Sequence, residues 1–539
     1  MTVIEMIDKF NLNRDKIGEG LYLLYFAVMV GARALGLYEG MTLYNISLIL
    51  GLFLFACKIL VTRHTVKEYG VMAFLFALSF LVYHFTGEKG LLVCFTMLLG
   101  MKGVSVKKAI TVGAVTAGTL ILGKIVLGVF GVLPEVYYPQ ERSGAGLMFR
   151  HAFGYAHPNT LQMNVLMLTM MVIYLLTKTV MKSDLDRKKK LSYISLISVA
   201  ALFFNLYIFM YSGSRSGIIT CMVFLICNFW LAVRKKIGIF EKIICYAAFP
   251  LTCVVSIIFP LVLPENIFEF LNRTVFNSRF MLAKYFWSNN HLSLFGIRLN
   301  NPMPNLKTYG IDMAPMYLFL QLGIVAFIVI ASLTLWFVNT SIKEDKRAEL
   351  AVLMAMLFIG MWEPFLYNLG FKNFAYVFMG GMLYSYLNKE NAKASDEVSK
   401  KETDETDGSK IAGTYFGRLI KAVTGAVLSG FAAALIFLLA TVPPTALYGD
   451  RECGEDGVSF GMEAEYLSEN YVKELKKNGD IVIGYKDAET PMYKYGEDIA
   501  TMEYEKKVIS VGVWVGILAL LVLCAVLCSG GSKKPKIVI

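Results

Sequence analysis

Runs of about twenty apolar residues recur along the whole chain, and that pattern leaves few folds open. A helix rising ~1.5 Å per residue needs roughly twenty residues to cross ~30 Å of hydrocarbon, where unpaired backbone groups are not tolerated. Stretches such as "MLTMMVIYLLTKTVM" and "LYIFMYSG" are apolar on every face, whereas barrel strands alternate over short segments, so the spans read as helices. Hydrophobic residues make up 56% of the 539, charged residues 17%, and mean hydropathy is +0.57, which excludes an ordinary soluble domain. The expected fold class is all-α, a polytopic integral membrane protein of about twelve transmembrane helices plus a C-terminal two-helix module with a small extracytoplasmic domain.

The twelve are expected at 21–37, 41–61, 69–86, 89–101, 109–132, 160–181, 192–211, 216–233, 243–263, 314–338, 349–368 and 372–387, and the final two near 419–441 and 508–528. Loop charge tests that count. The basic loops "TRHTVKE", "KGVSVKK", "KSDLDRKKK", "VRKKIGIFEK" and "SIKEDKRAE" all fall on one side, which the lysine and arginine bias marks as cytoplasmic. Both termini are expected on that side, with "SKKPKIVI" as a final inside anchor, and the polar opening "MTVIEMIDKFNLNRDKIGEG" has no signal-peptide pattern. The net charge of +11 therefore reports topology, and a nucleic-acid partner is not expected. Of nine cysteines only Cys453 is expected outside the cell, so no disulfide framework forms within one chain.

The charged, nearly apolar-free stretch "NKENAKASDEVSKKETDETDGSKIAG" divides the chain. Domains are accordingly expected at 1–388 (membrane body), 389–416 (disordered cytoplasmic linker) and 417–539 (two-helix module with an extracytoplasmic segment 442–507). Two long outer segments, 133–159 and 264–313, need a reason beyond connection. They are basic for an outer face, carrying Arg142, Arg150, Arg273, Arg279, Lys284, Arg298 and Lys307. Arginine's planar donor fork suits phosphate or pyrophosphate, and "SGSRSG" places Arg215 between small turn-forming residues and a helix start whose amides add positive potential. The plainer reading of Arg215 is a side chain snorkelling at a helix end.

The segments "FRHAFGYAHPNTLQMNVLML", "SGSRSGIITCMVFLI", "NSRFMLAKYFW", "LFGIRL" and "IDMAPMYLFLQLGIVAFIVI", in this order across residues 20–387, resemble the O-antigen ligase and polymerase superfamily of bacterial envelope polysaccharide synthesis. The resemblance implies a glycosyltransferase of the GT-C type in the bacterial cell (cytoplasmic) membrane. Its substrate would be glycan carried on undecaprenyl pyrophosphate at the outer face. It matches Arg150, Gly154 and Asn159 to one family pattern, Arg215 to the "SRSG" arginine, and Arg279 to the arginine opening the large outer loop. Asp312, Tyr317 and Gly323 fit the end of that loop, with Met313 where the pattern has Asn. The function implied is polymerisation of lipid-linked repeats into capsular or other surface polysaccharide. The alternatives are a ligase that transfers finished glycan to another acceptor, and a flippase or transporter of the lipid-linked unit.

Breaking a sugar–pyrophosphate bond puts negative charge on the leaving group, which Arg215 and Arg279 are expected to stabilise. The attacking hydroxyl needs a proton acceptor, for which Asp312, His157 and His291 are the candidates. Arg150, Asn159, His291, Arg298, Tyr317 and Glu363 are expected substrate contacts. No cofactor is expected, and no metal-ligand spacing is present in the sequence. Each residue has a structural alternative: Asn159 as a helix N-cap, His157 as a polar residue satisfied by backbone, Asp312 as a charge at a helix start, and Glu363 as a cap for amides freed by Pro364. The terminal module resembles, faintly, the chain-length regulators that accompany such polymerases. A regulator of that kind or other polysaccharide-assembly proteins are the expected protein partners, beside membrane lipid.

Overall fold

A computed structural model describes residues 14–142, 146–302, 310–368, 371–393, 412–455 and 458–529. Most of the expected linker, Lys307 and the terminal "SKKPKIVI" lie outside the described residues. The chain divides into two compact units. One comprises 1–134, 153–209 and 214–399, and the other 135–152, 210–213 and 400–539.

The first unit is built from helices α1 (Arg14–Ala34), α2 (Thr42–Val61), α3 (Val66–Thr86), α4 (Gly90–Leu99), α5 (Val106–Val129), α6 (Pro158–Lys182), α7 (Arg187–Ser212) and α8 (Arg215–Val233). It continues with α9 (Ile239–Val262), α10 (Glu265–Thr274), α11 (Arg279–Asn289), α12 (314–321), α13 (Ile324–Lys343), α14 (Arg347–Ile359) and α15 (Ala375–Lys393). Across the whole chain, ten of the described helices are long and apolar enough to cross a membrane, which defines a multi-pass membrane protein. Three expected helices change shape. The segment 89–101 yields only the ten residues of α4, the helix expected at 349–368 stops at Ile359, and that expected at 314–338 is broken at Leu322 and Gly323.

Local chemistry sets several helix starts. Thr65 and Glu68 form a capping box on α3, the Thr65 hydroxyl accepting from the Glu68 amide at 3.3 Å and the Glu68 carboxylate from the Thr65 amide at 2.9 Å. The same carboxylate takes Lys102 and His64, tying the loop after α2 to the loop after α4. Arg347 gathers the carbonyls of Leu231, Arg234 and Lys235, and Arg187 donates to that of Val233. Basic loops that alternate along the sequence therefore meet. Inside the bundle, Asn205 donates to Thr169 at 2.8 Å and accepts from Gln162 at 3.3 Å, so polar side chains link buried helices.

The break at Gly323 has a cause in the sequence. Residues 293–297 run alongside it: the Ile297 amide donates to the Gln321 carbonyl, and the Ile324 and Val325 amides to Ser293 and Leu294, all at 3.0 Å. Gly296 (φ 88°) and Gly323 (φ 94°) meet there with no room for a Cβ on either.

The chain is mostly helical, as expected, but the second unit adds strands and includes 135–152 and 210–213 from within the expected body 1–388. The strands β1 (Tyr137–Arg142) and β2 (Gly146–His151) form an antiparallel hairpin with Tyr137 opposite His151, and β1 pairs in parallel with β4 (Gly454–Glu455) through Gln140 and Gly454. Two four-stranded sheets result, ordered β2-β1-β4-β5 and β6-β8-β3-β7, where β3 is Leu447–Gly449, β5 Val458–Ser459, β6 Ala464–Tyr466, β7 Ile481–Ile483 and β8 Pro491–Tyr495. Tyr137 and Phe149 from the hairpin share a core with Leu447, Cys453, Ile481, Tyr495 and Ile499. The helix α16 (Ala412–Ala440) packs on α18 (Glu497–Ser529) through small residues, and a Cβ on Gly430 would lie 2.4 Å from the Gly512 carbonyl oxygen. Helix α17 (Glu469–Lys477), capped by Ser468, covers β7.

His151 joins the hairpin to α18. Its ring nitrogens lie 3.0 Å from Glu135 and 2.8 Å from Glu503, and Lys506 donates to Glu503 and to the Phe149 carbonyl. Burial pushes the imidazole down, but the two carboxylates outweigh it and hold its pKa above the usual histidine value. A raised folded pKa contributes stability that is complete below about 6.5, the unfolded value, and is lost as pH rises through the folded one. Melting of this unit should therefore fall with pH across that window, and His151→Gln should flatten the dependence. Equal slopes for wild type and variant would show that the bridge carries no linkage.

Candidate functional site

At the end of the first unit opposite the basic loops, α1, α3, α12 and the connection after α14 enclose a cavity of about 470 Å³. Its charged lining is Arg33, Glu39, Glu88, Asp312, Glu363 and Lys372. Each comes from a helix end or break. Glu88 follows the left-handed Gly87 that ends α3, Asp312 precedes α12, and Glu363 precedes the turn Pro364–Leu366, which interrupts the chain between α14 and α15.

Three expected site residues, Asp312, Tyr317 and Glu363, line this cavity together. Arg279, the first residue of α11, stands beside them. Its Nε donates to the Trp362 carbonyl at 2.6 Å and lies 3.6 Å from the Asp312 carboxylate, and an Nη lies 3.6 Å from Glu363. This guanidinium, the expected pyrophosphate ligand, is engaged by two carboxylates and a carbonyl and holds Asp312 and Glu363 beside the cavity. Burial raises the Asp312 pKa above the ordinary carboxylate value, and Arg279 pulls part of that shift back. One oxygen of Glu363 is buried without a hydrogen bond among the described residues. Tyr317 donates to Glu88 at 2.9 Å and Gln321 to the other Glu88 oxygen at 2.7 Å. Burial raises Glu88 as well, against the tyrosine hydrogen bond.

The remaining expected residues lie elsewhere. Arg215 opens α8 as an exposed residue and does not line the cavity. His157 is the N-cap of α6, its Nδ1 accepting from the Asn159 amide at 3.1 Å, with Pro158 as first helical residue. The cap expected at Asn159 is thus His157, and the expected proton acceptor His157 holds a helix start outside the cavity. His291 and Arg298 are exposed and absent from its lining. Arg150 belongs to the second unit, where it is buried and donates from Nε to the Ser212 carbonyl at 2.8 Å and from an Nη to Gln140 at 3.2 Å. Its contacts explain Gly213 (φ 58°), since a Cβ there would press on the Arg150 side chain at 3.3 Å.

Arg33, Glu39, Glu88, Gln321 and Lys372 escaped the sequence reading. Arg33 and Lys372 had a usable signal, a single charge inside or at the edge of an apolar span. Lys372 packs its ammonium 5.2 Å from the Phe365 ring and has no carboxylate within ion-pair distance among the described residues. The described residues contain no cluster of three or more His, Cys, Asp or Glu able to hold a metal ion. The arrangement offers a desolvated carboxylate for proton transfer, a half-buried cation for an anion, and amide and hydroxyl groups for hydrogen bonds to a polar ligand. The chain matches no family model, no curated protein and no solved structure.

Proposed function

We propose that the chain is a metal-independent glycosyltransferase of the bacterial cytoplasmic membrane that joins undecaprenyl-pyrophosphate-linked oligosaccharide repeats into a capsular or other surface polysaccharide. The observation that carries this reading is the placement of Asp312 in a polar cavity beside Arg279, with Lys372 and Arg33 in the same lining. In the transfer, a hydroxyl of one lipid-linked repeat attacks the anomeric carbon of the growing chain. The new C–O bond forms as the bond to the pyrophosphate breaks, and the hydroxyl proton passes to Asp312. The electron pair leaves with the pyrophosphate, whose charge Lys372 and Arg33 stabilise. The lysine and arginine bias of the short loops supports a cytoplasmic side for both termini and an outer face for the cavity. Residues 442–507 and the hairpin at 137–151 are then an extracytoplasmic domain, suited to contact polymer or a chain-length regulator.

One observation favours a second reading. A helix broken at Leu322 and Gly323 beside Glu88 and Gln321 is a device that secondary transporters use. Purified protein in liposomes with lipid-linked repeat separates the possibilities. New glycosidic bonds between repeats are the expected product. Transfer to another acceptor would replace the reading by a ligase, and movement across the bilayer without bond formation by a transporter.

A further inference from the structure

The opposite end of the first unit holds a second cavity, about 440 Å³, between the end of α6, the start of α7, the end of α8 and residues 345–348. It is strongly cationic, and among the described residues Asp345 is the only carboxylate in its lining. The fixed framework is accounted for: Arg347 is held by Asp345 and three carbonyls, Lys178 by Glu349 at 2.8 Å, Arg234 by Glu241 at 2.6 Å, Arg187 by the Val233 carbonyl and Lys190 by the Met181 carbonyl at 3.0 Å. Lys182 and Lys235 are different. Both are exposed at the rim, and neither has a carboxylate partner among the described residues.

Deeper in, Asn228 is 2% exposed. Its Nδ2 donates to Thr177 at 3.0 Å, while its Oδ1 is buried without any donor among the described residues. A buried acceptor left unpaired is costly, so the cavity calls for a hydroxyl or similar donor as well as for an anion. Its depth is also marked. Trp230 on α8 is 46% exposed and stacks with the Arg234 guanidinium at 4.4 Å, the pairing of aromatic ring and cation found at the headgroup level. Above it α7 and α8 present exposed Leu196, Val199 and Ile226, an apolar surface on which acyl chains can lie.

The geometry points to a binding site for a phosphoglycerol headgroup, supplied by an anionic membrane lipid. The phosphate sits between Lys182 and Lys235, and a headgroup hydroxyl donates to Asn228 Oδ1. Phosphate alone satisfies the rim and leaves the asparagine unpaired. A zwitterionic choline headgroup brings a cation to lysines and has no hydroxyl to give.

The test uses the full chain in nanodiscs of phosphatidylcholine containing phosphatidylglycerol or phosphatidic acid, with bound lipid counted by native mass spectrometry. Phosphatidylglycerol should be retained over both other lipids. Lys182→Gln with Lys235→Gln, both exposed and outside any packed core, should weaken retention about thirtyfold, from roughly fivefold per basic residue near the surface. Asn228→Leu should abolish the preference for phosphatidylglycerol over phosphatidic acid while leaving affinity for the latter. Equal retention of phosphatidylcholine, or unchanged retention in the double lysine variant, would overturn the site. Glycerol 3-phosphate added to pure phosphatidylcholine discs distinguishes the sources, and a thermal shift equal to that given by phosphatidylglycerol would overturn the lipid as occupant.

Discussion

Asp312→Asn should lower turnover of lipid-linked repeats by about 10²–10⁴-fold, the range for losing a positioned general base, with KM little changed. Asparagine keeps the size and most of the hydrogen bonding of the carboxylate, so the cavity and its hold on substrate survive. Only proton acceptance is removed. The pH profile gives a finer check, because the base acts ionised. Burial raises Asp312, so wild-type turnover should fall as pH drops through that raised value. Arg279 opposes the shift from 3.6 Å, so Arg279→Gln should move the acid limb to higher pH. His157→Asn, which keeps a capping side chain at the start of α6, should leave the limb in place. Should Asp312→Asn turn over normally, or should the limb follow His157 instead, the assignment of the base fails.

The membrane helices were legible because their physical cause is local. An apolar run of sufficient length reports itself, and the loop lysines and arginines report which ends lie together. What escaped was set by contacts between distant residues. Nothing local in "QLGIVA" distinguishes a break from a helix carrying one glycine, since the break depends on the Ser293 and Leu294 carbonyls arriving beside Ile324 and Val325. The hairpin 137–151 had a weak signal in the glycine-rich stretch "RSGAG" and in the alternation of Leu147, Phe149 and His151, but its partner strand lies more than 300 residues away in the chain.

The site divides along the same line. Asp312, Tyr317 and Glu363 line one cavity; a carboxylate at a helix start and one inside an apolar stretch are anomalies in themselves, whereas Tyr317 stood out only through the family resemblance. The arginines part company in the fold. Arg150, Arg215 and Arg279 were grouped by charge and side of the membrane, yet Arg150 is spent on a carbonyl and an amide in the second unit, and Arg279 on Trp362 and two carboxylates. Charge type predicts what a residue can bind, but the carbonyls and carboxylates around it decide what it does bind. Lys372 is the converse case, an unremarkable lysine at the edge of a span that the fold leaves without an ion-pair partner inside a cavity.

Gly323→Val should abolish the folded protein. A Cβ at Gly323 would lie 2.2 Å from the Gly296 amide nitrogen and 2.8 Å from the Leu294 carbonyl oxygen, and φ 94° is a conformation a β-branched residue rarely adopts. Both neighbours are backbone, so no side chain can swing aside to relieve the overlap. Separating the strands of chain instead costs the hydrogen bonds from Ile297, Ile324 and Val325 within a poorly hydrated bundle. Backbone strain, steric overlap and unpaired amides together exceed the ~4 kcal/mol that marks an exceptional single substitution. Gly123→Ala on α5 is the matched control, since a Cβ there meets nothing within 4 Å and alanine is better by up to ~1 kcal/mol within a helix. The measurement is the yield and melting temperature of detergent-extracted protein on size exclusion. Wild-type melting of Gly323→Val would show that 293–297 does not lie against the break. Loss confined to Gly323→Val would tie the lining of the cavity to this contact, because Tyr317 and Gln321 reach Glu88 only from a helix that ends there.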